Sequence, residues 1–202
     1  MKQIAIVAED KLTMALLRKC VEEYIPQFRI VRTVVTNGRG NVQREIKAYA
    51  ALAQKMPVLI GIDLDADECA PSLREDWAKL HPQADDLLLR VAVAEAEAWV
   101  LADRKRCAKF LGATSDEIAK DPEILVDPKR ALLDLARATA NPDLKRDLIP
   151  RNYNQFNLPR IGPAYNLRMT EFVEKKWKPS VARERSDSLH RAILCLEALA
   201  AR

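Results

Sequence analysis

Glycine is scarce in this chain. Five glycines in 202 residues exclude a collagen-like or linker-dominated architecture. No GxxxxGK[ST] run occurs, so an ATP site of the P-loop type is excluded. Only two histidines are present, His81 and His190, far apart in sequence. That argues against a histidine-rich zinc centre and against a Ser-His-Asp triad. The four cysteines (Cys20, Cys69, Cys107 and Cys195) are scattered without a C-x-x-C pair, the pattern of reduced, mostly buried thiols. No apolar stretch approaches the ~20 residues a membrane span needs. The N-terminal MKQIAIVAED has too short an apolar run before Glu9 and Asp10 for a secretory signal, so a cytoplasmic protein is expected.

What is present is a normal globular composition, 49% hydrophobic and 31% charged, enough to bury a core. The net charge of +4 is unevenly distributed. Residues 1–62 carry a balance of +5, residues 63–103 of −8 and residues 104–202 of +7. An acidic centre between basic flanks suits a metal site facing a polyanion. It equally suits charge clustered on solvated helix faces.

Short β-branched runs alternate with helical periodicity. Strands are expected at Gln3–Ala8, Phe28–Val35, Val58–Ile62 and Leu87–Val93. Helices are expected at Lys11–Tyr24, Val42–Lys55, Pro71–Leu80 and Glu95–Leu111, with a turn at Thr36–Asn41. This order implies an α/β fold, a mostly parallel four-stranded sheet flanked by helices. After Gly112 the pattern is helical. Helices are expected at Lys129–Ala140, Pro163–Trp177 and Asp187–Ala201, with a possible capping box at Thr114–Glu117 and a loop over Leu148–Gly162. The domain expectation is an α/β domain over 1–112 and a helical extension over 113–202. Trp77, Trp99 and Trp177 fall at core-like helical positions and read as packing residues.

Ligands of open α/β sheets bind beyond the carboxyl ends of the strands. Three of the four strands end in carboxylates: Glu9 and Asp10 after the first, Asp63, Asp65 and Asp67 after the third, Glu95 and Glu97 after the fourth. Each alone also suits a helix cap or a turn. Together on one rim they would repel one another and favour a hard cation, Mg²⁺, Mn²⁺ or Ca²⁺. An EF-hand loop fails on this segment, because Glu68 replaces its glycine and Arg74 its twelfth-position glutamate. A phosphatase with a nucleophilic aspartate is a weaker alternative, since that aspartate usually follows the first strand.

Glu after strand one, D-x-D after strand three and E-x-E leading into a helix resemble the TOPRIM domain, the catalytic module of primases, type IA topoisomerases and OLD-family nucleases. AEAEAW, with Glu95, Glu97 and Trp99, resembles the OLD variant. DLDADECAPSL, VAVAEAEAWVLADR, DPKRALLDLA and GPAYN are similar to a bacterial family of stand-alone TOPRIM-like proteins of about this length. The resemblance implies a Rossmann-like TOPRIM fold and a metal-dependent nuclease of defence or repair. It implies Glu9 as catalytic or metal-binding acid, Asp63 and Asp65 as Mg²⁺ ligands, and Glu97, with Glu95, completing a second metal site. At position 10 the family commonly has glycine, whereas Asp10 stands here. OLD nucleases carry an ABC-type ATPase, which implies a separate ATPase partner for this chain.

Two-metal phosphodiester hydrolysis, with ions about 4 Å apart, fits these residues. Lys129 and Arg130 are candidates to offset charge on the phosphate, and equally suit an exposed helix start. Arg39, between Gly38 and Gly40, suits either a phosphate contact or an ordinary turn. Lys175, Lys176, Lys178, Arg183, Arg185 and Arg191 give the tail a basic face able to track a nucleic-acid backbone; a solvated helix face explains it as well. A non-catalytic subunit of an ATPase complex is the alternative outside enzyme chemistry.

Overall fold

The structure is a computed structural model and describes residues 1–65, 69–150 and 161–202. Asp67 and Glu68, and most of the expected loop after Leu148, lie outside the described residues. The elements in chain order are β1 (Lys2–Ala8), α1 (Lys11–Tyr24), β2 (Phe28–Val35), α2 (Arg39–Arg44), α3 (Ile46–Ala53), β3 (Val58–Asp63), α4 (Ala70–Ala78) and β4 (Leu87–Ala92). They continue with α5 (Ala96–Ala102), α6 (Arg104–Leu111), 3₁₀ turns at Ser115–Glu117 and Pro122–Ile124, α7 (Pro128–Ala138) and α8 (Pro142–Leu148). After the undescribed segment come α9 (Tyr165–Lys175), α10 (Pro179–Ala182) and α11 (Asp187–Ala200).

The chain forms two compact units, Met1–Ala96 with Ser188–Arg202, and Glu97–Asp187. This division differs from the sequence boundary at residue 112. The last helix belongs to the sheet unit, where the Ser188 hydroxyl accepts from the Val93 amide at 3.3 Å and Arg202 pairs with Asp86 at 3.0 Å.

In the sheet unit all strand pairs are parallel, in the order β2-β1-β3-β4. Alternation sorts the side chains. Ala5, Val7, Val58, Ile60, Ile62, Leu89 and Val91 pack on one face against Val42, Ile46, Tyr49, Ala53 and Trp77 from α2, α3 and α4. On the other face α1 lies so close that Gly61 has no room for a side chain. A Cβ there would stand 2.7 Å from Leu17 Cδ1 and 2.9 Å from Thr13 Cγ2. The strands are therefore covered on both faces, as near-continuous apolar runs require. α1 begins where Asp10 Oδ1 accepts from the Thr13 amide at 2.7 Å, and gives way at Ile25 ahead of Pro26.

In the helical unit, Asp127 caps α7 by accepting from the Arg130 amide at 2.6 Å, and the capping box of Thr114 and Glu117 forms. Gly112 closes α6 in the left-handed conformation, φ 70°. The Trp177 indole donates to the Trp99 carbonyl at 3.0 Å, and both rings are buried. Two of the expected helices are divided. The expected helix Val42–Lys55 is divided at Glu45 into α2 and α3, and α2 starts inside the expected turn, at Arg39. The expected helix Glu95–Leu111 is divided at Asp103, whose fully buried carboxylate accepts from the Lys178 amide at 3.0 Å. α8 was not expected; Asn141 caps it, accepting from the Asp143 and Leu144 amides, both at 3.1 Å. None of the four cysteines is in a disulfide; Cys20 and Cys107 are buried, Cys195 half-buried and Cys69 exposed. Among the described residues no helix is long and apolar enough to cross a membrane.

The close approach at Gly61 generates a prediction. Gly61→Ala should destabilise the protein by about 1–3 kcal/mol through overpacking against α1, read as a lower urea midpoint. An unchanged midpoint would mean that α1 does not press on β3.

Candidate functional site

The strand order places a topological switch point between β1 and β3. From β1 the chain crosses outward to β2, then returns to the opposite side of β1 for β3. Crossovers leave such a point in opposite directions, which opens a crevice at the carboxyl ends of the two strands. The residues that follow β1 and end β3 are Glu9 and Asp63.

The two are joined directly. The Glu9 amide continues the ladder by donating to the Gly61 carbonyl at 3.2 Å. The Asp63 amide donates to Glu9 Oε2 at 3.1 Å. Asp63 is itself buried, 3% exposed, and its Oδ1 accepts from the Ala96 amide at 2.9 Å. Burial pushes the Glu9 carboxyl up to about 7, well above its ordinary 4.5; the Asp63 amide opposes the shift, Asp65 and Asp10 add to it, and Arg39 opposes it. Asp10 serves as the cap of α1.

The turns on this rim are strained. Asn37, Asp65 and Ala94 have positive φ, 56°, 53° and 61°, and follow β2, β3 and β4 respectively. Alanine gains no local side-chain hydrogen bond to offset that conformation. Surrounding contacts hold it. The Leu64 amide donates to Ala92 O at 2.9 Å and the Asp65 amide to Ala94 O at 3.1 Å. Arg39 Nη1 donates to Leu64 O at 3.0 Å and more distantly to Asp63 O at 3.4 Å, and lies 3.9 Å from Asp65 Oδ2. The arginine expected to meet a phosphate thus grips the end of β3. Such clustered strain is common at functional sites.

The helical unit holds a second polar cluster. Glu97, 1% exposed, accepts from the Tyr165 hydroxyl at 2.8 Å and lies 3.5 Å from Lys129 Nζ, both at Oε1. Two site residues from separate motifs are therefore paired. Tyr165 was not foreseen; only the GPAYN string around it gave a signal. Glu95 is half-buried just ahead of α5. Arg130 reaches Asp134 at 3.5 Å, Lys175 reaches Glu171 at 3.6 Å, and Lys176 is exposed.

The sheet unit thus brings together Glu9, Asp63, Asp65 and Arg39. Their donor set is oxygen only, which matches a hard cation. Among the described residues no group of three histidine, cysteine or acidic side chains could hold a metal ion. Magnesium commonly takes one or two carboxylates and completes its shell with water and substrate oxygens, so a site of two carboxylates is chemically compatible with that cation.

The raised Glu9 value fixes a sign. Between about 4.5 and about 7 the folded protein holds a proton that the unfolded chain has released, so stability falls as pH rises through that interval. Thermal unfolding at pH 5 and pH 8 should show this loss in the wild type and a smaller loss in Glu9→Gln. Parallel pH profiles for the two proteins would show that Glu9 titrates normally.

No family model matches the chain, and no curated protein or solved structure matches it either.

Proposed function

We propose that this chain is a Mg²⁺- or Mn²⁺-dependent hydrolase of nucleic-acid phosphodiesters, of TOPRIM type. The observation that carries the reading is the desolvated Glu9, tied to buried Asp63 at the switch point of a parallel sheet. A carboxyl raised to about 7 by burial lies where a counter-charge is missing. A bound divalent cation would supply that charge and polarise a phosphoryl oxygen or a water.

The chain's own residues supply the rest. Glu9 and Asp63 would hold the cation, whose charge would favour the ionised form of Glu9 that burial disfavours. Asp63 is fixed at its backbone and at its side chain, so the placement of its carboxylate is set before substrate arrives. Arg39 holds the turn that carries Asp65. Basic residues beyond 104 offer the nucleic-acid backbone a favourable field. A cytoplasmic location and a separate ABC-type ATPase partner belong to the same reading, the first supported by four cysteines outside any disulfide, the second by the family resemblance alone.

The test is cleavage of plasmid and single-stranded DNA and of RNA with Mn²⁺, comparing wild type with Asp63→Ala purified identically. Cleavage by the wild type, reduced about 100-fold or more in the variant, is the expected result. Equal activity in both would assign the cleavage to a contaminant and defeat the reading. Hydrolysis of a chromogenic phosphate ester without any cleavage of nucleic acid would replace it with a phosphatase.

A further inference from the structure

Three of the sequence strings that carry the family resemblance meet in one buried cluster. AEAEAW supplies Glu97, DPKRALL supplies Lys129 and GPAYN supplies Tyr165. Each residue stands in the first turn of its helix, α5, α7 and α9. We propose that Lys129 is the group of this unit that meets a substrate phosphate, and that Glu97 and Tyr165 are positioning residues that hold it, Glu97 not being a metal ligand.

The argument begins with access. Glu97 and Tyr165 are 1% and 2% exposed. The Lys129 side chain is 23% exposed, so of the three it alone reaches the surface. Of the three, Lys129 is therefore the side chain that a phosphate from solvent can approach. Charge gives the second step. An ionised carboxylate this deeply buried needs a compensating cation, and Lys129 Nζ lies 3.5 Å from Glu97 Oε1. A divalent cation on that same oxygen would stand against the ammonium at short range, where repulsion in a poorly solvated site is strong. The oxygen expected to serve a metal is thus already used by a lysine.

Orientation is the third step. The Tyr165 hydroxyl donates to Oε1 at 2.8 Å. This bond fixes the rotation of the Glu97 carboxylate and so the place of its lysine partner. Lysine is a flexible point charge, and a buried anchor at its tip limits where it can reach. An ion pair retained only for packing would be replaceable by apolar residues of similar volume; a positioning pair would not be.

The proposal rests on the phosphodiester reading above, and its test separates the two. Tyr165→Phe, Glu97→Gln, Lys129→Met and the double variant Tyr165→Phe/Lys129→Met are compared on a labelled oligonucleotide across a range of Mn²⁺ concentrations, with folding checked by circular dichroism. Tyr165→Phe should lower kcat by about tenfold with the half-maximal Mn²⁺ concentration unchanged. It should add nothing in the Lys129→Met background. A Glu97→Gln variant that needs tenfold more Mn²⁺ would make Glu97 a ligand and overturn the proposal, as would a Tyr165→Phe enzyme with the wild-type kcat.

A second readout does not depend on turnover. Acylation of Lys129 by an amine reagent, followed by mass spectrometry, should run several-fold faster in Glu97→Gln and Tyr165→Phe than in the wild type. Equal rates overturn the proposal. A wild type that cleaves no nucleic acid defeats the phosphodiester reading by itself, and the acylation ratio then still decides whether Glu97 and Tyr165 hold Lys129.

Discussion

Asp63 is held at both of its polar ends. Its amide donates to Glu9 and its carboxylate accepts from the Ala96 amide. This double tie joins the residue after β1, the last residue of β3 and the first residue of α5. Hydrogen bonds to charged groups contribute about 1.5–3 kcal/mol each, enough to keep two acidic residues side by side in a crevice from which water is partly excluded. They do not remove the cost, and the Glu9 value of about 7 records what is left. The left-handed turns at Asn37, Asp65 and Ala94 add strain to the same rim, of order 1 kcal/mol or more each. Arg39 holds one of them by its grip on the carbonyls of Asp63 and Leu64.

The helical unit treats buried charge differently. Glu97 has Lys129 and Tyr165 at one oxygen. Asp103, with no exposure, has the Lys178 amide and the Arg106 guanidinium. Here acids are compensated by donors from the protein itself. On the sheet rim, the nearest acids to Glu9 raise its value further. That contrast favours an external cation on the rim and a protein-supplied ammonium in the helical unit.

Much of the sheet was legible in the sequence. Lys11–Tyr24 and Phe28–Val35 have the bounds that periodicity and the flanking Asp10 and Pro26 suggest, because local capping and β-branched runs decide them. The placement of carboxylates at strand ends follows from topology, and topology follows from strand–helix alternation. The breaks at Glu45 and Asp103 were not legible. Apolar spacing continues smoothly across both, and the break at Asp103 is set by a partner amide at Lys178, 75 residues away. The Asn141-Pro142 pair is a readable helix start, a capping side chain followed by proline in the first turn. In the candidate site, the acids were visible as a pattern, whereas the targets of Arg39 and Tyr165 were not. A side chain that finds its partner 25 or 68 residues away leaves no trace in local spacing.

The central claim is that the rim between β1 and β3 holds a divalent cation. Calorimetric titration of Mn²⁺ at pH 8 into the wild type and into Asp63→Asn, which keeps an acceptor for the Ala96 amide, tests it most directly. Saturable binding in the wild type, lost or weakened about tenfold or more in the variant, is the predicted result. Binding of equal strength in both proteins, or none in the wild type, would contradict the account.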